Sequence, residues 1–211
     1  MPPPNFHILQ VAETTPPMWL HIWSERYGGE DDREHAELIA RFQSLSAEDF
    51  VRIGKWKDGV LPNQDGKWKK DVASVAYLIW MQTASETPTC PPQAEVAAFL
   101  TEWSGRTYSD TFSSGRTVTK HFGLPRASTL LHFVSGGKYP ILDSRVRAAI
   151  AYLYQCKVED SVGWYVDTFI SLFAELAETC ETQSDLRKLD KALFAFGAYI
   201  ASGAMKRLQS S

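Results

Sequence analysis

Apolar residues recur at helical spacing along nearly the whole chain, and that periodicity leaves little room for any fold but a helical one. Residues 31–44 (DDREHAELIARFQS) place Ala36, Ile39, Ala40 and Phe42 on one side, with acids in the first turn where the helix field favours them. Ser46 followed three residues later by Asp49 reads as a capping box opening AEDFVRIGKW. After the loop LPNQDGK, a helix is expected from Asp71 over DVASVAYLIWMQ. Pro91 and Pro92 stand where prolines suit a helix start, ahead of QAEVAAFLTEW. Two amphipathic helices close the chain, over 160–178 and 184–205. No run alternates as a half-buried strand would. Residues 53–66 are the least determined, KWKDG fitting a turn or a helix end equally. The expectation is an all-α chain.

The 211 residues suffice for one large domain or two small lobes. A composition of 44% apolar and 22% charged residues is that of an ordinary soluble protein. The net charge of -3 removes the argument from a strongly basic domain. It leaves nucleic-acid binding open, because steering depends on where charge lies. Cys90, Cys156 and Cys180 are far apart and form no CxxC pair, so no disulfide framework, zinc site or iron–sulfur site is readable. They read as reduced thiols of a cytosolic protein. MPPPNFHILQ lacks the basic and apolar regions of a signal peptide, and apolar stretches such as 75–81 are too short for a bilayer. A cytoplasmic protein without membrane attachment, metal or cofactor is expected. No HExxH motif, Walker loop or dinucleotide fingerprint appears.

The informative stretch is 116–150, RTVTKHFGLPRASTLLHFVSGGKYPILDSRVRAAI. A short helix is expected to end near His121. Phe122, Gly123, Leu124 and Pro125 form a tight connection, and Arg126, Ala127 and Ser128 open a second helix with Leu130, Leu131 and Val134 inward. Gly123 permits the backbone a tight turn needs. Such a hairpin presents a helix N-terminus, a ready phosphate site; taken alone, it reads more readily as a corner that holds a core together. Gly136 and Gly137 break the second helix, and an apolar segment, Tyr139, Pro140, Ile141 and Leu142, leads to Asp143 and a new helix. Taken alone, Asp143 is an N-cap.

In this order these features resemble the helix-hairpin-helix DNA glycosylases, the superfamily of endonuclease III and of the adenine-mismatch and 8-oxoguanine glycosylases. The likeness lies in an apolar-Gly-apolar-x-x-Ala hairpin, an apolar helix, a glycine break and Pro-x-x-Asp-x-x-Val. It covers 118–150 and extends loosely to Asp190, Lys191, Ala192, Leu193 and Phe194. It implies one globular unit, 1–211, of two helical lobes around a cleft, with the hairpin and catalytic segment at 116–150. It implies that Gly123, Leu124, Pro125, Arg126, Ala127 and Ser128 grip the DNA backbone, and that Asp143 acts on the anomeric carbon of a flipped nucleotide. Two departures matter. Pro125 stands where the pattern has a second glycine and removes one N–H donor. Ala127, after Arg126, stands where the bifunctional members carry a nucleophilic lysine, and neither supplies a deprotonable amine. Lys138 and Lys120 read as solvated surface residues. The four-cysteine cluster of endonuclease III is also missing.

The resemblance therefore implies a monofunctional enzyme for base excision and DNA repair, acting on double-stranded DNA with a modified or damaged base. Breaking an N-glycosidic bond develops positive charge on the sugar. A carboxylate at a helix N-terminus suits stabilising that charge and orienting water. Lys120, Arg116, Arg126 and Arg145 are the phosphate candidates; of Arg145 and Arg147, one is expected to face DNA and the other to be salt-bridged. KWK at 55–57 and KWKK at 67–70 interleave bases and rings as strand-binding surfaces do, but a packed Trp between wet lysines explains them better. His121 and His132 read more readily as packed or capping residues than as phosphate ligands. The alternative function is a non-catalytic helix-hairpin-helix DNA-binding protein, and a third is a helical scaffold.

Overall fold

Ser46 and Asp49 close the expected capping box in a computed structural model that describes residues 4, 14–27, 32–58, 71–111 and 115–202. The Ser46 N–H donates to Asp49 Oδ2 at 2.9 Å, and the Asp49 N–H donates to Ser46 Oγ at 3.3 Å. The helix they open, α3 (Ala47–Asp58), carries KWKD to its end, so KWK is helical. KWKK and the loop before it lie outside the described residues.

The chain divides into two compact units, one of residues 30–139 and one of residues 1–29 with 140–211. The first contains α2 (Asp32–Ala40), α3, α4 (Asp71–Glu86), α5 (Val96–Gly105) and α6 (Gly123–Val134). A short 3-10 turn at Phe42–Ser44 follows α2, and another at Gln93–Glu95 leads from Pro92 into α5. The core of this unit includes Leu38, Phe50, Ile53, Trp80, Leu100, Trp103, Leu130 and Phe133. Gly54 lets α3 meet α4, because a Cβ there would lie 2.2 Å from Trp80 Cγ.

The described residues are mostly helical, as expected, with one departure. Residues 107–121 contain an antiparallel hairpin of β1 (Thr107–Thr111) and β2 (Thr117–His121), pairing Thr107 with His121 and Thr111 with Thr117. The expected helix ending near His121 is therefore a strand, and the connection at Phe122 joins strand to helix. The physical cause is local. Thr107, Ser109, Thr111, Thr117 and Thr119 share one exposed face, and β-branched side chains favour extended backbone. Ser109 and Thr119 hydroxyls meet at 2.7 Å, and those of Thr111 and Thr117 at 2.9 Å.

The second unit contains α1 (Pro16–Glu25), α7 (Ser144–Tyr154), α8 (Val162–Trp164), α9 (Ile170–Thr179) and α10 (Leu186–Ala201). A π-helical segment, Tyr165–Phe169, joins α8 to α9, so 162–179 is one helix with an inserted wide turn. Both α1 and α7 pack on α10. Phe196 lies at the centre, with the rings of Trp19, Trp23 and Tyr152 at 5.5, 5.0 and 5.4 Å. Gly197 lets α7 cross α10 closely: a Cβ there would lie 1.8 Å from the Arg145 carbonyl oxygen.

Candidate functional site

Asp143 occupies the N-cap of α7 in extended backbone, and its Oδ1 accepts from the N–H groups of Arg145 and Val146, each at 2.9 Å. The side chain is half-buried. The segment before it is a buried strut: Ile141 and Leu142 are core residues, and Tyr165 Oη donates to the Pro140 carbonyl at 2.7 Å. Tyr165 opens the π-helical segment, so that segment contributes to holding the approach to Asp143. Sequence periodicity gives no sign of this contact.

The two cations after Asp143 behave differently. Arg147 pairs with Asp160 at 3.0 Å. Arg145 is exposed and lies over the Phe194 ring, 4.3 Å from its centroid.

At the start of α6, Gly123 has φ +71°, a backbone conformation glycine adopts without strain. Phe122 is the N-cap and makes no side-chain capping bond, and Pro125 carries no N–H. Arg126 is engaged within the protein. Its Nε and Nη2 bind Asp58 at 2.9 and 3.1 Å, and its Nη1 donates to the carbonyls of His121 and Phe122 at 3.1 and 3.3 Å. Trp80 Nε1 donates to the same Asp58 at 2.8 Å. Leu124, Ala127 and Ser128 are 5%, 0% and 0% exposed, so their side chains belong to the core and not to a DNA-contacting surface. Ser128 Oγ donates to the Pro125 carbonyl at 3.2 Å. At this strand-to-helix connection the groups left towards solvent are chiefly backbone ones. Lys120 is half-buried on β2, paired across the hairpin with Tyr108.

The histidines divide. His121 is exposed and meets Thr107 Oγ1 through Nδ1 at 3.0 Å. His132 is buried, with Nε2 2.9 Å from His35 Nε2 and Nδ1 2.8 Å from the Tyr139 carbonyl. A carbonyl only accepts, so Nδ1 carries the His132 proton; with both rings neutral, the His35 Nε2–H donates to His132 Nε2. Trp56 packs against His35 and Phe133 at 5.7 and 5.3 Å between ring centroids, which makes the Trp of KWK a packing residue.

A cleft of about 660 Å³ in the 30–139 unit is lined by Phe42, Leu45, Val134 and the segment 87–90. Its lining holds no carboxylate, imidazole or amine, so it offers no group for glycosidic chemistry. Among the described residues, no three His, Cys, Asp or Glu side chains are placed to hold a metal, and no helix is long and apolar enough to cross a membrane. No family model, curated protein or solved structure matches the chain.

Proposed function

We propose that this chain is a monofunctional DNA glycosylase of the helix-hairpin-helix group, which hydrolyses the N-glycosidic bond of a flipped, modified or damaged base. The observation that carries the reading is the fixed carboxylate of Asp143. It is half-exposed, held at a helix N-terminus by two N–H groups, set on a buried strut and followed by an exposed arginine that holds no carboxylate among the described residues. As the bond breaks, its electron pair leaves with the base and the sugar becomes an oxocarbenium-like cation. Asp143 stabilises that cation and orients a water, whose oxygen bonds to the anomeric carbon while its proton passes to the carboxylate or solvent. Water replaces the missing amine, so the product is an abasic site in an intact strand.

The test is base release from duplexes bearing oxidised, alkylated, deaminated or hypermodified bases, followed by mild alkali, with wild type and Asp143→Asn. Asn caps a helix about as well as Asp, so the variant removes charge while keeping the cap. Release by wild type, lost by about a hundredfold or more in the variant, supports the reading. Strand cleavage without alkali would contradict the monofunctional assignment.

A second reading, a non-catalytic DNA-binding protein, is favoured by one observation: the bonds that Asp143 Oδ1 accepts from the Arg145 and Val146 N–H groups are those of an ordinary N-cap. DNA binding without base release, unchanged in Asp143→Asn, would select it.

A further inference from the structure

Most of the described arginines are neutralised by carboxylates. Arg33 holds Glu37, Arg41 holds Asp49, Arg52 holds Glu34 and Glu37, and Arg106 holds Glu86 and Glu102. Arg126, Arg147 and Arg187 hold Asp58, Asp160 and Asp190. Arg26 and Arg145 depart from this pattern: both are exposed, both lie over an aromatic ring, and neither meets a carboxylate among the described residues. Arg26 lies 4.5 Å from the Trp23 centroid, and its exposed neighbour Glu25 makes no ion pair with it.

Stacking occupies the face of a guanidinium and leaves its N–H edge unused. It also restricts the rotamers of a long side chain, so less entropy is lost when that edge meets an anion. A stacked arginine without a carboxylate is thus prepared for the bidentate bond a phosphate makes.

Arg145 begins a continuous run of rings and cations, and Arg26 is the chain neighbour of Tyr27 within it. From Arg145 the run passes to Phe194, and from Phe194 to Tyr27, with centroids 5.4 Å apart at 71°. Arg187 and Lys191 of α10 lie 5.0 and 5.8 Å from the Tyr27 centroid, and Arg187 Nη2 donates to Tyr27 Oη at 3.2 Å. Tyr27 and Phe194 are each half-buried. Exposed arginines beside half-buried rings suit a nucleic-acid strand, with the cations meeting phosphates and the rings meeting sugars or bases, while Arg187, held by Asp190, positions Tyr27.

We infer that the C-terminal end of α1 and the N-terminal half of α10 form a DNA-contacting surface, with Arg26 and Tyr27 as backbone contacts additional to Arg145. The inference rests on the DNA reading above and extends it to residues outside the hairpin and outside the stretch that carries the family resemblance.

The test is fluorescence anisotropy of a fluorescein-labelled mixed-sequence DNA duplex across a sodium chloride series, with the full chain. The variants are Arg26→Gln, Tyr27→Ala and Tyr27→Phe. Arg33→Gln, which removes a 91% exposed charge in the other unit, is the control. Arg26→Gln is expected to weaken binding about three- to tenfold at low salt and to lower the salt slope by about one. Tyr27→Ala is expected to weaken binding with the slope nearly intact, Tyr27→Phe to retain most of it, and Arg33→Gln to match wild type. Wild-type affinity and slope in Arg26→Gln and Tyr27→Ala, with Arg145→Gln impaired, would overturn this surface and leave the glycosylase reading standing. A wild-type chain that binds no DNA would overturn both. Circular dichroism of each variant separates lost contact from lost fold.

Discussion

Arg126 and Asp58, sixty-eight positions apart, form a two-point ion pair, with Nε 2.9 Å from Oδ2 and Nη2 3.1 Å from Oδ1. Trp80 shares the same carboxylate. The hairpin arginine, in sequence a candidate for phosphate, is thus a tie between the end of α3 and the start of α6.

That relationship predicts how Arg126 variants fail. Asp58→Asn and Arg126→Gln each leave a mostly buried partner unmatched, and each is expected to cost about 2–3 kcal/mol of stability. Arg126→Gln is expected to leave the salt slope of DNA binding unchanged after correction for the folded fraction. Urea unfolding and an anisotropy salt series check the two halves. A slope lowered by about one in Arg126→Gln would restore the arginine to the phosphate contacts.

What the sequence made visible was what is local. Ser46 and Asp49 announce a helix start because a capping box closes within four residues. The β-hairpin escaped notice because its alternation is of hydroxyls: Thr107, Ser109 and Thr111 face Thr117, Thr119 and His121 on an exposed face. Apolar periodicity is blind to such a face, whereas the repeated Thr-x-Thr spacing was the available signal. Asp143 was legible as both cap and candidate carboxylate, since a single N-cap position serves either role. Partners of Arg126 and Tyr27 were not legible, because Asp58, Phe194 and Arg187 reach them only through the tertiary fold.

The capping role of Asp143 and its proposed catalytic role separate under substitution. Asp143→Ala removes the acceptor for Arg145 N and Val146 N and is expected to cost about 1 kcal/mol. Asp143→Asn keeps an acceptor and is expected to remain within about 0.5 kcal/mol of wild type. Thermal unfolding measures both. Equal destabilisation by Asn and Ala would mean that the negative charge, rather than the capping bond, holds the first turn of α7.

Asp49 gives the fold a dependence on acid. Burial alone would push its carboxyl up, but hydrogen bonds from the Ser46 N–H and hydroxyl, with Arg41 and Arg52 nearby, hold it below the ordinary carboxylate range. A lowered folded-state pKa contributes stability that is complete above the unfolded value of about 3.9 and is lost as pH falls through the folded value. Asp49→Asn is therefore expected to be less stable than wild type at pH 7, by about 2 kcal/mol, with the gap narrowing below about pH 4. Denaturant unfolding at pH 7 and pH 3 checks this; a gap that widens on acidification would refute it.

The thiols should react in a fixed order. Cys90 is exposed; burial raises the Cys156 thiol above its ordinary value and pushes Cys180 up to about 12. Only a thiolate attacks a disulfide reagent, so at pH 8 Cys90 should label first and Cys180 only on unfolding. Cys90→Ser is expected to remove the fast phase of labelling by an aromatic disulfide. Persistence of that phase would place the accessible thiol elsewhere.

Gly197 sets how closely α7 approaches α10. A Cβ at this position would lie 1.8 Å from the Arg145 carbonyl oxygen and 2.5 Å from its carbon, and backbone atoms have no rotamer by which to withdraw. Gly197→Ala must displace the first turn of α7, the turn capped by Asp143 and bearing Arg145. The expected cost is roughly 3 kcal/mol or more, and the proposed DNA binding is expected to weaken even where the variant is folded. Gly105→Ala, with nothing within 4 Å of the new Cβ, is the control, expected to be neutral or to stabilise by up to about 1 kcal/mol. Thermal melts of the pair decide the matter: a Gly197→Ala melt equal to that of Gly105→Ala would mean that α7 and α10 tolerate a wider crossing, and that the placement of Asp143 and Arg145 does not depend on this contact.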